Sequence, residues 1–461
     1  MGIDSGPARW RRRVLRALLV VAACVLGAAA PAPSDQLRGI PAAELARRIR
    51  ANRDLDEVLE MGRDLFKDRF NAGTVYPETW VRDFATFVDV ALDRGDRGEI
   101  KETLRMFLRF QGADGNIPDG FTPQSEGRSD YQKILSPSAP RHWAHKNTVV
   151  TDQESSFILA TCTYVRRTGD LTFLDEQVDG QTVRARMLRA LDFLLAQRWS
   201  RPHGLLWGAT TIDWGDVQPE HPWGTFLTKD THRAIGIYNN AMLALALDSF
   251  LPLMGKEAAP RWARVREDLG RAVRTHLWDA KRQKFRPHLY LDGSPFPATF
   301  DEDAIFFTGG TVIAIQAGLL EPREAEASFA TLRLHAREDG PFTTVGLVCH
   351  PAYPAGYFQN PDHQPHIYIN GGDWPWISGR VVQAMIAQGF VTDGYAELLP
   401  VVQRVKRDKG FFEWYDQAGQ PHGAAQFRGA AGVVGLAIKQ LQAWAEAQKT
   451  KPTANDANSR E

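Results

Sequence analysis

Trp376-Ile-Ser-Gly-Arg-Val-Val-Gln-Ala-Met-Ile-Ala-Gln-Gly-Phe390 is apolar around nearly its whole helical circumference. Just beyond it, Tyr395-Ala-Glu-Leu-Leu-Pro-Val-Val-Gln-Arg-Val-Lys406 gathers its charges on one side. A helix apolar all round belongs inside a protein, and one with a polar face belongs at its surface. The pair therefore predicts an inner helix followed by an outer one. The same alternation recurs along the chain. The apolar segments 80–92, 153–166, 234–250 and 304–319 are followed by the amphipathic segments 100–109, 183–197, 262–277 and 324–336. A helix at 42–65, charged on one side, opens the series, and an apolar helix at 429–443 closes it. Six inner helices ringed by six outer ones satisfy both demands. The expected fold is all-α, an (α/α)6 toroid whose long loops form a pocket at one end. An α-solenoid of helix pairs is the competing arrangement. No fixed repeat period is visible, however, and the loops are long, irregular and aromatic. Strand signals are few; 285–292 reads as a short strand in a hairpin.

The chain has 461 residues, 43% hydrophobic and 24% charged, which allows a large core. Lys plus Arg equals Asp plus Glu at 55 each, and no basic stripe follows the N-terminus, so nucleic-acid binding has no electrostatic support. Residues 1–33 read as a signal peptide: Arg9-Trp-Arg-Arg-Arg13, an apolar run at 17–27, then Ala28-Ala-Ala30. That run is too short to span a membrane, so periplasmic or secreted localisation without stable membrane insertion is expected. Val21-Ala-Ala-Cys24 resembles a lipoprotein box, but the apolar run continues past Cys24, which favours ordinary secretion. Residues 34–448 read as one catalytic domain and 449–461 as a disordered polar tail. Cys162 and Cys349 are expected as separate buried thiols.

Thirteen Trp is high, and Trp80, Trp143, Trp207, Trp214, Trp223, Trp374, Trp376 and Trp414 fall in or beside loops, where pure core packing would not sort them. Carboxylates accompany them. Gly410-Phe-Phe-Glu-Trp-Tyr-Asp416 sets Glu413 among aromatic rings. A buried carboxylate is costly unless something polar uses it, and sugars suit such a place, with C–H faces for the rings and hydroxyls for the acid. Tyr76-Pro-Glu-Thr-Trp-Val-Arg-Asp83 places Arg82 and Asp83 at a helix start, where Asp could accept sugar hydroxyls or merely favour the helix dipole. Ile212-Asp-Trp-Gly-Asp216 flanks Trp214 with Asp213 and Asp216, two candidate proton donors or an Asx-turn pair. His366-Ile-Tyr-Ile-Asn-Gly-Gly-Asp-Trp-Pro-Trp376 offers Asn370, Gly371 and Asp373 with two flat indole walls, Trp374 and Trp376. Asp301-Glu-Asp303 could bind a metal or cap the inner helix that follows, with capping favoured by the apolar helical residues after it, and Thr151-Asp-Gln-Glu154 has capping-box spacing yet would also face the pocket. His363 and His366 lack the further ligands a zinc site needs, so no metal and no cofactor is expected.

Together these loops resemble the six-hairpin glycoside hydrolases, such as glucoamylase, bacterial neutral invertase and the α-glucosidase I-like enzymes. Thr79-Trp-Val-Arg-Asp83 is similar to glucoamylase's Thr-Trp-Thr-Arg-Asp, which implies that Arg82 and Asp83 hold the sugar in the cleaved subsite; Trp80 beside them is a further candidate for substrate binding. Phe412-Glu-Trp-Tyr-Asp416 is similar to Glu-Gln-Tyr-Asp of glucoamylase and Glu-Tyr-Tyr-Asp of neutral invertase, which implies that Glu413 activates water beside Trp414 and Tyr415. Asn370-Gly-Gly-Asp-Trp-Pro375 is similar to Asn-Gly-Gly-Ser-Trp-Pro of neutral invertase. Asp213-Trp-Gly-Asp216 is similar to Asp-Trp-Asn-Asp of the cellobiose-type phosphorylases, whose second Asp protonates the leaving oxygen. The resemblance implies an inverting, exo-acting, α-glucosidase-like hydrolase of a small oligosaccharide or glycoside. Asp216, or else Asp213, is the expected acid and Glu413 the base. A disaccharide phosphorylase and a secreted carbohydrate-binding protein are the alternatives.

Overall fold

The computed structural model describes residues 37, 39–127 and 132–450. The predicted signal segment, with Cys24, and all of the predicted tail beyond 450 lie outside the described residues. The elements below belong to one unit, Ile40–Glu461.

Thirteen α-helices run through the described residues: α1 (Ala42–Ala51), α2 (Arg53–Asp64), α3 (Val81–Ala91), α4 (Arg97–Arg109), α5 (Gln153–Thr168), α6 (Val183–Gln197), α7 (Ile237–Phe250), α8 (Ala259–His276), α9 (Thr308–Gln316), α10 (Pro322–Asp339), α11 (Pro375–Ala387), α12 (Val391–Asp408) and α13 (Arg428–Ala447). The expected opening helix at 42–65 is two helices. Asn52 breaks it with extended backbone, and its side chain accepts the Asp54 N–H at 3.1 Å, a local cap that competes with helix continuation. Asp96 and Thr182 cap α4 and α6 in the same way. Pro322 and a Glu321–Glu324 capping box start α10.

The apolar helices pack in chain order. Each of α3, α5, α7, α9, α11 and α13 contacts the next, and α13 contacts α3. The polar helices α4, α6, α8, α10 and α12 each pack beside an apolar one, while α1 and α2 lie on α13. Every residue of α9 from Thr308 to Ile315 is buried, as is every residue of α11 from Pro375 to Met385. Burying large apolar side chains fully is worth about 1.5–3 kcal/mol each. Glycine lets α13 approach its neighbours closely: a Cβ on Gly432 would lie 2.4 Å from the Phe87 backbone of α3.

Strands are more numerous than expected and very short. Thr79–Trp80, Gly120–Pro123 and His142–His145 form one antiparallel sheet, with Trp80 opposite Gly120. The expected hairpin strand at 285–292 is instead two strands with different partners. Lys284–Phe285 pairs with Trp278–Asp279, and Leu289–Tyr290 pairs with Arg233–Ile235. Phe306–Phe307, just before α9, pairs with Cys349–His350, and Trp414–Tyr415 pairs with Pro421–His422. Several of these ribbons lie in the segments that enter the apolar helices. Cys162 and Cys349 are free and buried. No helix among the described residues is long and apolar enough to cross a membrane.

Candidate active site

Segments that enter the apolar helices converge on a cavity of about 450 Å³. Its lining includes Tyr76, Trp80, Arg82, Asp83, Asp119, Trp214, Asp216, Tyr368, Trp374, Trp376, Glu413 and Trp414. The indoles brace one another: Trp214 lies edge-on to Trp374 at 5.8 Å between ring centres, and 5.2 Å from Trp376.

Arg82 and Asp83 occupy the first turn of α3, directly after the strand that holds Trp80. Arg82 is clamped by Asp152 through two hydrogen bonds, Nε to Oδ2 at 2.7 Å and Nη2 to Oδ1 at 2.9 Å. Asp152 sits at the N-cap position of α5, yet its carboxylate serves Arg82 and makes no cap bond. Glu154 accepts the Ile117 N–H and the Lys146 ammonium, both at 2.9 Å, so Thr151–Glu154 is not a capping box. Burial pushes the Asp83 carboxyl up to about 7, with Arg82 opposing the shift and Glu413 adding to it. Asp119 is also raised to about 7 by burial, against Arg82 and a 2.7 Å hydrogen bond from Gln153, and with Asp216 adding to the rise.

Glu413 precedes the Trp414–Tyr415 strand and is 4% exposed. The Tyr76 hydroxyl donates to both of its oxygens, at 3.0 and 3.2 Å, the Tyr368 hydroxyl lies at 3.5 Å from Oε1, and the Ala424 N–H reaches Oε2 at 3.1 Å. Gly423, at φ +73°, brings that backbone over the acid: a Cβ there would lie 2.3 Å from Glu413 Oε2. Burial raises the Glu413 pKa, the Ala424 and Tyr76 donors oppose this, and the charge of Asp216 raises it further. Asp216 therefore acts on Glu413 electrostatically across the cavity they both line.

Asp213 and Asp216 go to different places. Asp213 takes a left-handed backbone, φ +51°, and its carboxylate accepts the N–H groups of Gly309 and, at 2.8 Å, Gly310 in the first turn of α9. Burial raises it to about 7, against those two bonds. Asp213 is not among the cavity-lining residues; Asp216 is. The Asp216 carbonyl accepts the Asn147 amide at 2.8 Å, which fixes the backbone from which its carboxylate projects.

The loop before α11 divides in the same manner. Trp374 and Trp376 line the cavity, whereas Asn370, Gly371 and Asp373 do not. Asn370 ties the backbone of Tyr353 and His363 together. Asp373 accepts the Thr344 N–H and hydroxyl and the Arg404 guanidinium, all at 2.7 Å. Tyr415 turns away as well, donating to Asp408 at 3.0 Å.

Other sequence candidates are settled in part by their partners. Glu302 accepts from Tyr290 and Tyr353 at 2.7 Å and pairs with His288 at 2.8 Å, so it anchors a loop and caps nothing. His363 lines the cavity, while His366 pairs with Asp339 at 3.1 Å. Tyr76, Asp119 and Tyr368 are cavity residues that the motifs do not single out. Asp119 precedes the Gly120–Pro123 strand, whose pairing with the Trp80 strand brings it to the cavity, where the charge of Arg82 acts on it.

Comparison with solved structures adds the fold. The chain is similar to the GH63 mannosylglycerate hydrolase from Thermus thermophilus in complex with Tris, with TM-score 0.59 and 16% identity over 83% of this chain and 98% of that one. The complex of that hydrolase with glucose gives TM-score 0.57 and 15% identity over 87% and 99%. A rhamnosidase from Klebsiella oxytoca with rhamnose bound gives TM-score 0.54 and 14% identity over 85% and 64%. The chain has the fold of the six-hairpin glycosidases. No protein-family model matches it, and no curated protein matches it by sequence. In this helical fold the cavity lies where loops before the apolar helices meet, and two carboxylates from distant parts of the chain share its wall.

Proposed function

We propose that this chain is an inverting glycoside hydrolase acting on a small oligosaccharide or glycoside, with Asp216 as acid and Glu413 as base. One observation carries the reading: both carboxylates line a single tryptophan-walled cavity, and the charge of Asp216 raises the Glu413 pKa. Asp216 donates its proton to the glycosidic oxygen while Glu413 takes one from water attacking the opposite face of the anomeric carbon. An inverting pair needs about 6.5–9.5 Å between carboxyls to admit that water, and each proton transfer contributes about 10²–10⁴-fold. Glu413 suits the base because its partners are all donors, which orient a carboxylate. Asp213, occupied by α9, is the weaker acid candidate. Arg82, Asp83 and Asp119 would hold ring hydroxyls against Trp80, Trp214, Trp374 and Trp376. The volume lies toward the small end of the roughly 300–1,000 Å³ usual for ligand pockets, which favours an exo-acting enzyme. The closed neighbour order of the six apolar helices supports an (α/α)6 toroid for the catalytic domain.

The structural neighbours are hydrolases of different glycosides, so sugar identity is an experimental matter, with α-glucosides first by resemblance. Export through the N-terminal segment belongs to the same proposal. The test is sugar release from α- and β-glucosides, mannosylglycerate and rhamnosides, with NMR of the freshly formed anomer. Inversion on one of them is expected. Retention of configuration counts against the mechanism, sugar phosphate formed only with added phosphate makes the enzyme a phosphorylase, and binding without release leaves a carbohydrate-binding protein.

A further inference from the structure

The sequence brings no metal-binding spacing into view, yet the fold gathers three ligand-bearing side chains outside the cavity. His335 and Glu338 stand one turn apart on α10, a spacing that puts both on one face. His350 ends the Cys349–His350 strand, which pairs with Phe306–Phe307. One ligand atom from each of the three lies within 4.8 Å of the others. The two imidazoles are 4.5 Å apart between ring centres, and His350 Nε2 is 3.2 Å from Glu338 Oε2. The other ring beside His335 is Phe306, which meets it edge-on and offers it no acceptor. None of the three lines the cavity.

We propose that His335, Glu338 and His350 form a binding site for a late first-row divalent cation of the zinc type. Two imidazoles and one carboxylate suit zinc, nickel or cobalt, while magnesium and calcium prefer all-oxygen shells. Three protein ligands leave a coordination position for water. An opposing charge, Lys284, acts on His335; its ammonium donates to the Asp303 carbonyl at 3.0 Å, which holds it in place without neutralising it. The ion would staple α10 to the strand that leads into the 360–369 stretch of the cavity wall. The site lies outside the cavity, so the proposal stands or falls separately from the hydrolase reading.

The experiment is titration of tag-free, metal-stripped protein with Co²⁺, followed by visible absorption, and with Zn²⁺, followed by melting temperature. One equivalent of Co²⁺ is expected to give d–d bands, Zn²⁺ to displace it, and the melting temperature to rise. His350→Ala and His335→Ala should each weaken binding at least about tenfold, a loss of the size seen even for outer partners of metal ligands. Glu338→Gln, at a half-exposed position, tests the same site with little risk to folding and should also weaken it. Absence of a one-equivalent spectrum in the folded wild type overturns the proposal. So does undiminished binding in Glu338→Gln together with whichever histidine variant folds.

Discussion

Glu413 shows how much a few atoms decide. Its carboxylate is buried but never bare, because Tyr76, Tyr368 and the Ala424 N–H all donate to it. A hydrogen bond to a charged group is worth about 1.5–3 kcal/mol. Tyr76→Phe should therefore raise the Glu413 pKa and move the acidic limb of the kcat/KM profile up by about one to two units. An unmoved limb would show that Glu413 does not control it. Asp119 offers a second test at this scale. Its folded pKa is near 7, so between about 4 and 7 the folded chain holds a proton that the unfolded chain releases. The stability this group contributes is present at low pH and lost as pH rises through that window. Asp119→Asn removes the loss. Its stability relative to wild type should improve from pH 5 to pH 8 by on the order of 1 kcal/mol, allowing for screening by cavity water. An equal shift at both pH values in thermal melts would contradict the assignment. Carboxylates beside tryptophans are legible in the sequence because isolated acids among rings demand an explanation. Asp213 and Asp216 are not separable there. The left-handed backbone at Asp213, which aims its side chain at α9, leaves no trace in residue type.

Among the elements, the long helices are readable in the sequence and the strands are not. Segments such as 183–197 carry several turns of periodicity, enough to fix helix type and limits. A two-residue strand such as Trp414–Tyr415 has no period to detect, yet it sets the acid beside it. The break at Asn52 escapes the pattern because apolar spacing continues across it and only the cap bond marks it. Asn370 and Asp373 resemble sugar ligands because they share a loop with Trp374 and Trp376. Their side chains instead join elements, with Asp373 linking the loop before α11 to Arg404 of α12. Breaking a buried pair by removing one partner costs about 3–5 kcal/mol. Asp373→Ala should lose that much stability in denaturant unfolding, through an unpaired Arg404. A loss below about 1 kcal/mol would mean that Asp373 does not carry the joint.

For the molecule as a whole, alternating apolar and amphipathic helices reveal the helical class and the crowding of loops. Which side chains meet in the cavity needs coordinates, since closure of the helix order is a long-range property. The consequence is that Asp216 and Glu413, carried by the loops before α7 and α13 and remote in sequence, face one cavity. The most direct measurement is turnover of Glu413→Gln and Asp216→Asn on the best substrate of the panel, with folding checked by melting. Each amide keeps the side chain's shape while removing its proton transfer and charge, so kcat should fall by about 10²–10⁴-fold in each variant that remains folded. Wild-type turnover in either folded variant would contradict the pairing of these two residues as acid and base.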